Sequence, residues 1–265
     1  MSQVFKKGRG QSVNLLSTPL LPQKRVKSVL ISGEYPQISL ELSRKFGIET
    51  IEVVNNNELA GSISSHADCC FFQLDKNNIF IDKSNYDNIV NYLTILKGEA
   101  ANHINIYSER VFSPYPDDVA LNLKVIGDKI ICNTNNMSDS VKIKALELGF
   151  SLIHVNQGYS ACSSIVINEN AMITDDESIY YKSKLNGIDC VLISKGSVRL
   201  NGFDYGFIGG TCGMIDKNLI AFTGSIHTHT DYKLISDFLN KYNIDYIELT
   251  NGPLTDIGGI IPLTE

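Results

Sequence analysis

The most constraining feature of this 265-residue chain is a pattern that recurs about every fifty residues. Five stretches have apolar residues at three- and four-residue spacing, as amphipathic helices do, and each is followed by a residue type that ends helices. These stops are Gly47, Gly98, Gly149, Gly187 and Asn243. A strand-like apolar segment comes after each stop, so the pattern predicts five copies of one helix-and-strand unit.

Four of the copies continue with an apolar strand, a short polar turn and a second apolar strand. The turns are Asp75-Lys-Asn-Asn, Gly127-Asp, Asn168-Glu-Asn and Asp216-Lys-Asn, which are residue types typical of hairpins. The fifth copy stops after its first strand, and a leftover strand at the start of the chain can complete it. Because such units cannot bury their apolar faces alone, we expect a closed ring. A doubly wound α/β sheet is the rival, but its units carry no hairpin after each strand.

Length and charge limit the organisation and the function. We predict a flexible arm over residues 1–25 and a single domain of five repeats over residues 26–265. The formal net charge of −6 argues against nucleic-acid binding, which depends on clustered Lys and Arg. The sequence contains neither an apolar run long enough to span a membrane nor a secretory signal, so we expect a cytoplasmic protein without membrane contact.

The six cysteines lie mostly in apolar stretches and lack the regular spacing of a secreted disulfide scaffold. We therefore expect reduced thiols. The sequence has no CxxC pair and gives no support for a metal site. No cofactor is expected either.

Two motifs resemble the guanidine-modifying (pentein) superfamily. His66-Ala-Asp68 is similar to its His-x-Asp/Glu element, and the segment from Gly258 to Thr264 is similar to its terminal Gly-rich segment. The resemblance covers roughly residues 26–265 and implies an α/β fold, a five-fold pseudosymmetric α/β propeller of ββαβ-type units. It also implies hydrolase, deiminase or amidinotransferase-like chemistry by a cysteine nucleophile, although non-catalytic relatives share the ring. Pro262 stands where those enzymes carry that cysteine. A homodimer is implied only by the same resemblance.

Aligning the four hairpins on their turns predicts which loop residues are equivalent. Eight residues before the turn lie Cys70, Ala120, Cys162 and Gly210, and ten before it lie Asp68, Asp118, Ser160 and Ile208. Alternate residues of a strand share a face. We therefore expect Asp68 with Cys70, and Ser160 with Cys162, to point to one side.

These positions lead to the hypothesis of a Cys-dependent hydrolase or transferase that acts on a small, cationic guanidine or amidine. Carboxylates would anchor the cation, a thiolate would attack it, and a histidine would relay protons. Cys162 is the first nucleophile candidate, because Gly158-x-x-x-Cys162-x-Ser repeats the spacing of the terminal segment, and Cys212 is the second. The remaining candidates are His66 for the relay and, for substrate binding, Asp68, Asp118, Asp117, Ser160, Cys70 and Asp256.

Simpler interpretations stay open beside this hypothesis. Free cysteines often pack as small apolar side chains, and neighbouring loop acids such as Asp117 and Asp118 are commonly just solvated. The alternative function is a non-catalytic ring that binds a protein partner or a small ligand. Pro262, at the expected nucleophile position, favours that alternative.

Overall fold

The computed structural model describes residues 15–97 and 104–265. Within those ranges the helices are α1 (Pro36–Phe46), α2 (Ala67–Cys70), α3 (Tyr86–Lys97), α4 (Asp139–Glu147), α5 (Glu177–Leu185) and α6 (Tyr232–Lys241). The strands are β1 (Ser28–Ser32), β2 (Glu49–Val53), β3 (Phe71–Asp75), β4 (Asn78–Asp82), β5 (Asn105–Glu109), β6 (Lys124–Ile126), β7 (Lys129–Cys132), β8 (Ser151–His154), β9 (Ser164–Asn168), β10 (Ala171–Thr174), β11 (Asp189–Leu192), β12 (Cys212–Asp216), β13 (Leu219–Phe222), β14 (Asp245–Glu248) and β15 (Ile261–Thr264). Among the helices of the described residues, none has the length and apolar composition that a membrane span requires.

The strands form five three-stranded sheets of the same design. In each sheet the central strand pairs antiparallel with one neighbour and parallel with the strand that follows the helix, as β4 does with β3 and β5. In four sheets the antiparallel pair is a hairpin. The first sheet combines β15 with β1 and β2, so β1 completes the fifth copy, as the sequence predicts. The predicted five-unit α/β propeller is confirmed.

The helix stops read from the sequence adopt the left-handed backbone that ends helices. The φ angles are 67° at Gly47, 82° at Gly149, 76° at Gly187 and 55° at Asn243. A local residue preference therefore marks four of the five unit boundaries. The fifth predicted stop, Gly98, and the predicted strand start at His103 lie outside the described residues.

The described part of the predicted N-terminal arm packs on the ring. Leu15, Leu16 and Leu21 are buried. The N–H of Leu16 donates to the carbonyl of Leu263 at 3.2 Å, and the Gln73 side chain donates to the carbonyl of Leu16 at 2.9 Å. Residues 15–21 are thus packed rather than solvated, because their leucines cover apolar surface beside β15. Residues 1–14 of the predicted arm lie outside the described residues.

Candidate functional site

One loop from each unit leads into the first strand of its sheet, and the five loops meet at the centre of the ring. Hydrogen bonds join neighbouring loops in a closed circle, which we call the loop circle. Its links are Asn122 side chain to Asp68 carbonyl, Ala161 N–H to Asn122 side chain, Gly209 N–H to Cys162 carbonyl, Ile257 N–H to Gly210 carbonyl, and Asp68 N–H to Gly258 carbonyl. Side chains from distant parts of the sequence are thereby held together.

Two thiols face each other inside this circle. The Nδ2 atom of Asn122 donates to the Cys162 sulfur at 3.1 Å and to the Cys69 sulfur at 3.5 Å. One ligand atom each of Asp68, Cys69 and Cys162 lies within 4.8 Å of the other two. Burial raises the pKa of the Cys162 thiol well above its usual value. Cys162 is therefore a protonated thiol at neutral pH when no ligand is bound.

Strand pairing shows that Cys69, and not Cys70, is equivalent to Cys162. Cys69 lies three residues before Phe72, which pairs with the third residue of β4. Cys162 lies three residues before Ile165, which pairs with the third residue of β10. The predicted equivalence of Cys70 and Cys162 is wrong by one residue.

The error has two physical causes. The sequence alignment matched Asn78 with Asn170, but Asn78 is the first residue of β4, whereas Asn170 lies in the turn before β10. In addition, Asp68 and Cys70 belong to the helical turn α2 and not to a strand. Residues two apart in a helix do not share a face, so Cys70 does not accompany Asp68 into the site.

His66 and Asp256 form a buried pair beside the thiols. His66 Nδ1 lies 3.7 Å from Asp256 Oδ1, and their side chains are 2% and 1% exposed. The other contacts of Asp256 are N–H groups, from Phe207 at 2.9 Å and Gly258 at 3.0 Å. Burial raises the pKa of Asp256, although the nearby His66 opposes that shift. The distance allows electrostatic attraction between the two side chains, but it is too long for a hydrogen bond.

A cavity of about 260 Å³ opens onto these residues. Its polar lining includes His66, Cys162 and Asp256, and its aromatic lining consists of Tyr159, Phe203, Tyr205 and Phe207. The rings of Tyr159 and Phe207 have centroids 6.0 Å apart, and Phe203 is 54% exposed. We call this space the aromatic cavity. Aromatic faces of this kind attract flat organic cations.

Two further carboxylates lie next to residues that line the cavity, Asp68 beside Cys162 and Asp118 beside Tyr159. Neither oxygen of buried Asp68 has a hydrogen-bond partner among the described residues. Asp118 accepts a hydrogen bond from the Tyr159 hydroxyl at 2.7 Å, and its second oxygen also lacks a partner within residues 15–97 and 104–265. Burial raises the pKa of Asp118. Unpaired carboxylate oxygens in a buried place are costly, and a bound cation would remove that cost.

The structure places the other predicted candidates outside this arrangement. Asp117 is exposed, and the Ser160 hydroxyl donates within its own turn, to the carbonyl of Gln157. Cys212 begins β12 and lines a separate cavity of about 60 Å³ that also contacts Asp68 and Pro262. Burial raises the pKa of Cys212 to about 12.

The spacing Gly158-x-x-x-Cys162-x-Ser does not make Cys162 the structural equivalent of Pro262. Pro262 is the second residue of β15 and pairs with Val29. In the third unit the equivalent residue is Val166 of β9, which pairs with the second residue of β10. Cys162 precedes β9 and lies in the loop circle. Its place in the candidate site therefore rests on its contacts and not on its resemblance to the terminal segment.

Three residues of this centre, Cys69, Asn122 and Lys124, are not among the candidates predicted from the sequence. Asn122 and Lys124 stand in the otherwise apolar stretch Leu121-Asn-Leu-Lys-Val. Both are buried. A polar side chain inside an apolar run is a signal that could have identified them, because such groups are buried only with partners.

A buried carboxylate next to the loop circle gives a testable pH dependence. Asp175 accepts the Ile208 N–H at 2.9 Å, and burial raises its pKa to about 7. The folded chain therefore keeps a proton that the unfolded chain loses above about pH 4, so this residue lowers stability as the pH rises from about 4 to 7. We expect the free energy of unfolding of Asp175→Asn, relative to that of the unaltered chain, to increase by about 1.4 kcal/mol per pH unit between about pH 4 and pH 7 and then to level off.

Urea denaturation at pH 4.5, 6 and 8 measures this gain. Asp237→Asn, which changes an exposed carboxylate, serves as the control and should show a nearly constant difference. A gain for Asp175→Asn that does not vary with pH would contradict the prediction.

Comparison with known proteins identifies the family. The model described as "Family of unknown function (DUF6873)" matches residues 30–261. The chain belongs to this family. The match spans all five units of the DUF6873 ring described above. No curated protein sequence matches the chain significantly.

Solved structures show the same architecture at low sequence identity. C. jejuni agmatine deiminase is 12% identical, with 96% of each chain covered and a TM-score of 0.53. SxtG, an amidinotransferase from Microseira wollei in the saxitoxin biosynthetic pathway, is 10% identical, with 92% of each chain covered and a TM-score of 0.54. DDAH from Pseudomonas aeruginosa, complexed with citrulline, is 9% identical over 89% of this chain and 96% of that chain, with a TM-score of 0.52. The predicted pentein fold is confirmed.

Proposed function

We propose that this DUF6873 protein is a cysteine-dependent hydrolase or transferase that acts on a C–N bond of a small cationic guanidine or amidine. The observation that carries the proposal is the convergence of Cys162, His66 and Asp256 on one aromatic cavity. The similar structures include enzymes named for agmatine deimination and amidino transfer. In this chain the sulfur would come from the third unit, since the last unit carries Pro262.

The lining of the cavity suits a guanidinium group. A guanidinium is flat, carries five N–H donors and matches carboxylates through paired hydrogen bonds. Asp256 lies on the cavity wall. Asp68, whose two oxygens have no partner among the described residues, lies beside Cys162 and lines the neighbouring cavity. Tyr159 and Phe207 supply aromatic faces for stacking. The volume of about 260 Å³ fits a small substrate.

The chemistry follows from the residues beside the sulfur. The Cys162 thiol passes its proton to His66, and the thiolate forms a C–S bond to the central carbon of the substrate. The proton then moves from His66 to the leaving nitrogen, and the C–N bond breaks. Water or a second amine attacks the same carbon, the C–S bond breaks, and the thiol is restored. A bound cation favours the thiolate, which offsets the effect of burial on the thiol.

A turnover screen tests the proposal. Metal-free, reduced protein would be incubated with agmatine, arginine, N-methylated arginines and simple amidines. Release of ammonia or amine, together with formation of ureido products, would be measured. We expect turnover of at least one guanidine or amidine and none of matched primary amines. Absence of turnover across the panel would contradict the proposal.

Reaction with alkylating reagents provides a second prediction. Because burial raises the pKa of Cys162, neutral iodoacetamide should label it slowly at pH 7. A haloacetamidine carries the positive charge that the carboxylates attract, so we expect it to label Cys162 at least about 10-fold faster. Mass spectrometry of peptides locates the label. Equal rates for the two reagents would mean that the cavity does not select cations.

Two observations favour the non-catalytic alternative, a ring that only binds a small cation. They are Pro262 at the position of the usual nucleophile and the raised pKa of Cys162. Saturable binding of a guanidine without turnover, and with no selective labelling of Cys162, would support that alternative.

A further inference from the structure

The cluster formed by Asp68, Cys69 and Cys162 has the composition of a metal site. One sulfur or oxygen from each residue lies within 4.8 Å of the others, and the three residues are 6%, 0% and 3% exposed. Both oxygens of Asp68 are buried and lack a partner in the part of the chain that the structure describes. A buried carboxylate without partners is costly, so its place beside two sulfurs indicates a missing ligand.

We propose that this cluster binds one zinc ion, with Cys69, Cys162 and Asp68 as its protein ligands. Zinc binds thiolates and carboxylates in tetrahedral geometry, in which neighbouring ligand atoms lie roughly 3.5–3.8 Å apart. Atoms already within 4.8 Å of one another reach that spacing by shifts of about 1 Å. Thiolate ligands also select against magnesium and calcium, which prefer oxygen.

The surroundings suit a zinc ion bound to thiolates. Two thiolates and one carboxylate carry three negative charges, and zinc neutralises two of them. Lys124 is buried nearby; burial lowers its pKa, and the charges of Asp68 and Cys162 oppose that shift. When it is protonated, its ammonium group would balance the third negative charge. The Asn122 N–H groups donate to both sulfurs, as the hydrogen bonds that support metal ligands do. The Asn122 oxygen is held in turn by the Ala161 N–H at 2.8 Å.

The sequence has no CxxC motif that would indicate this site, because its two cysteines come from different units, 93 positions apart in the sequence. Three protein ligands leave a fourth position for water. The inference does not require that Cys162 acts as a nucleophile. If it does, a zinc-bound sulfur cannot attack a substrate, and zinc would inhibit turnover.

Titration with zinc tests the site directly. Apo protein, reduced and treated with a chelator, would be titrated with zinc chloride against a chromophoric competitor. We expect one zinc per chain. Cys69→Ser, Cys162→Ser and Asp68→Asn should each weaken binding at least about 10-fold, since even residues behind the ligands change affinity by 10–100-fold. Cys190→Ser removes a buried thiol of β11 and should leave zinc binding unchanged.

Two further readouts distinguish this site from other thiols. Cobalt in place of zinc should give thiolate-to-metal absorption that disappears in Cys69→Ser and Cys162→Ser but persists in Cys190→Ser. In the unaltered chain, zinc should protect Cys69 and Cys162, but not Cys212, from alkylation, and this measurement requires no variant to fold. Zinc binding that survives both serine substitutions, or that protects no cysteine, overturns the inference. The proposed function is tested separately, by measuring turnover on metal-free protein.

Discussion

Cys162→Ser is expected to lower kcat/KM for the substrate found in the screen by more than about 10³-fold. A serine hydroxyl is a much weaker acid than a thiol, so His66 would leave it protonated, and a neutral hydroxyl is a much weaker nucleophile than a thiolate. His66→Asn should lower kcat by about 10²–10⁴-fold, because it removes the group that moves the proton to the leaving nitrogen. Steady-state kinetics on metal-free protein measure both effects.

Cys190→Ser is the matched control for this prediction. Cys190 is also a buried thiol, but it packs in the fourth unit and does not line the aromatic cavity. Its substitution should leave kcat/KM unchanged. If Cys162→Ser stays active while Cys212→Ser is inactive, the nucleophile is the second candidate of the sequence analysis, and the proposed role of Cys162 is wrong.

Gly258→Ala is expected to destabilise the fold by roughly 2–5 kcal/mol. Gly258 has a φ of 75°, a backbone that L side chains rarely adopt, and an added Cβ would lie 2.4 Å from the Cα of His66 and 2.7 Å from the nitrogen of Ala67. These contacts involve backbone atoms, which no side-chain rotation can relieve. The substitution would also weaken one link of the loop circle, because the Gly258 carbonyl accepts a hydrogen bond from the Asp68 N–H.

Gly47→Ala separates the two causes of this loss. Gly47 has a φ of 67°, but an added Cβ would meet no atom of the described residues within 4 Å. The Gly47→Ala substitution should therefore lower the free energy of unfolding only through the strain of the left-handed backbone, by about 1–2 kcal/mol. Urea denaturation of both variants gives the comparison. Equal losses would show that the close approach of Gly258 to His66 is not a constraint on the fold.

The fold could be predicted from the sequence because its signals are local. Residues such as Gly149 and Asn243 end helices through their own backbone preferences, and short polar turns join neighbouring strands. The loop circle depends on contacts between different units, and no local signal reports those. The alignment of one unit on another is especially sensitive to small errors. A shift of one residue between two turns makes Cys70, instead of Cys69, the predicted equivalent of Cys162.

The candidate site could be predicted only in part for the same reason. His66, Asp68, Cys162 and Asp256 are candidates from the sequence that the structure brings close together, and their roles stay predictions. Asn122 was missed because its role is to bridge two thiols from other units. Ser160 was selected by alternation along a strand, but it lies in a turn, where that periodicity does not apply.

The pairing of β1 with β15 has a consequence for folding. Leu30 pairs with Ile261, and contacts this distant in sequence, roughly 230 positions apart, are slow to form because a long loop must close first. Until β15 pairs with β1, that strand has an unpaired edge that can join other chains. Asp256 and Gly258 lie shortly before β15 and supply the partner of His66 and a link of the loop circle. Closure of this one sheet therefore also completes the candidate site, and a chain trapped before closure would lack the site and expose an edge prone to aggregation.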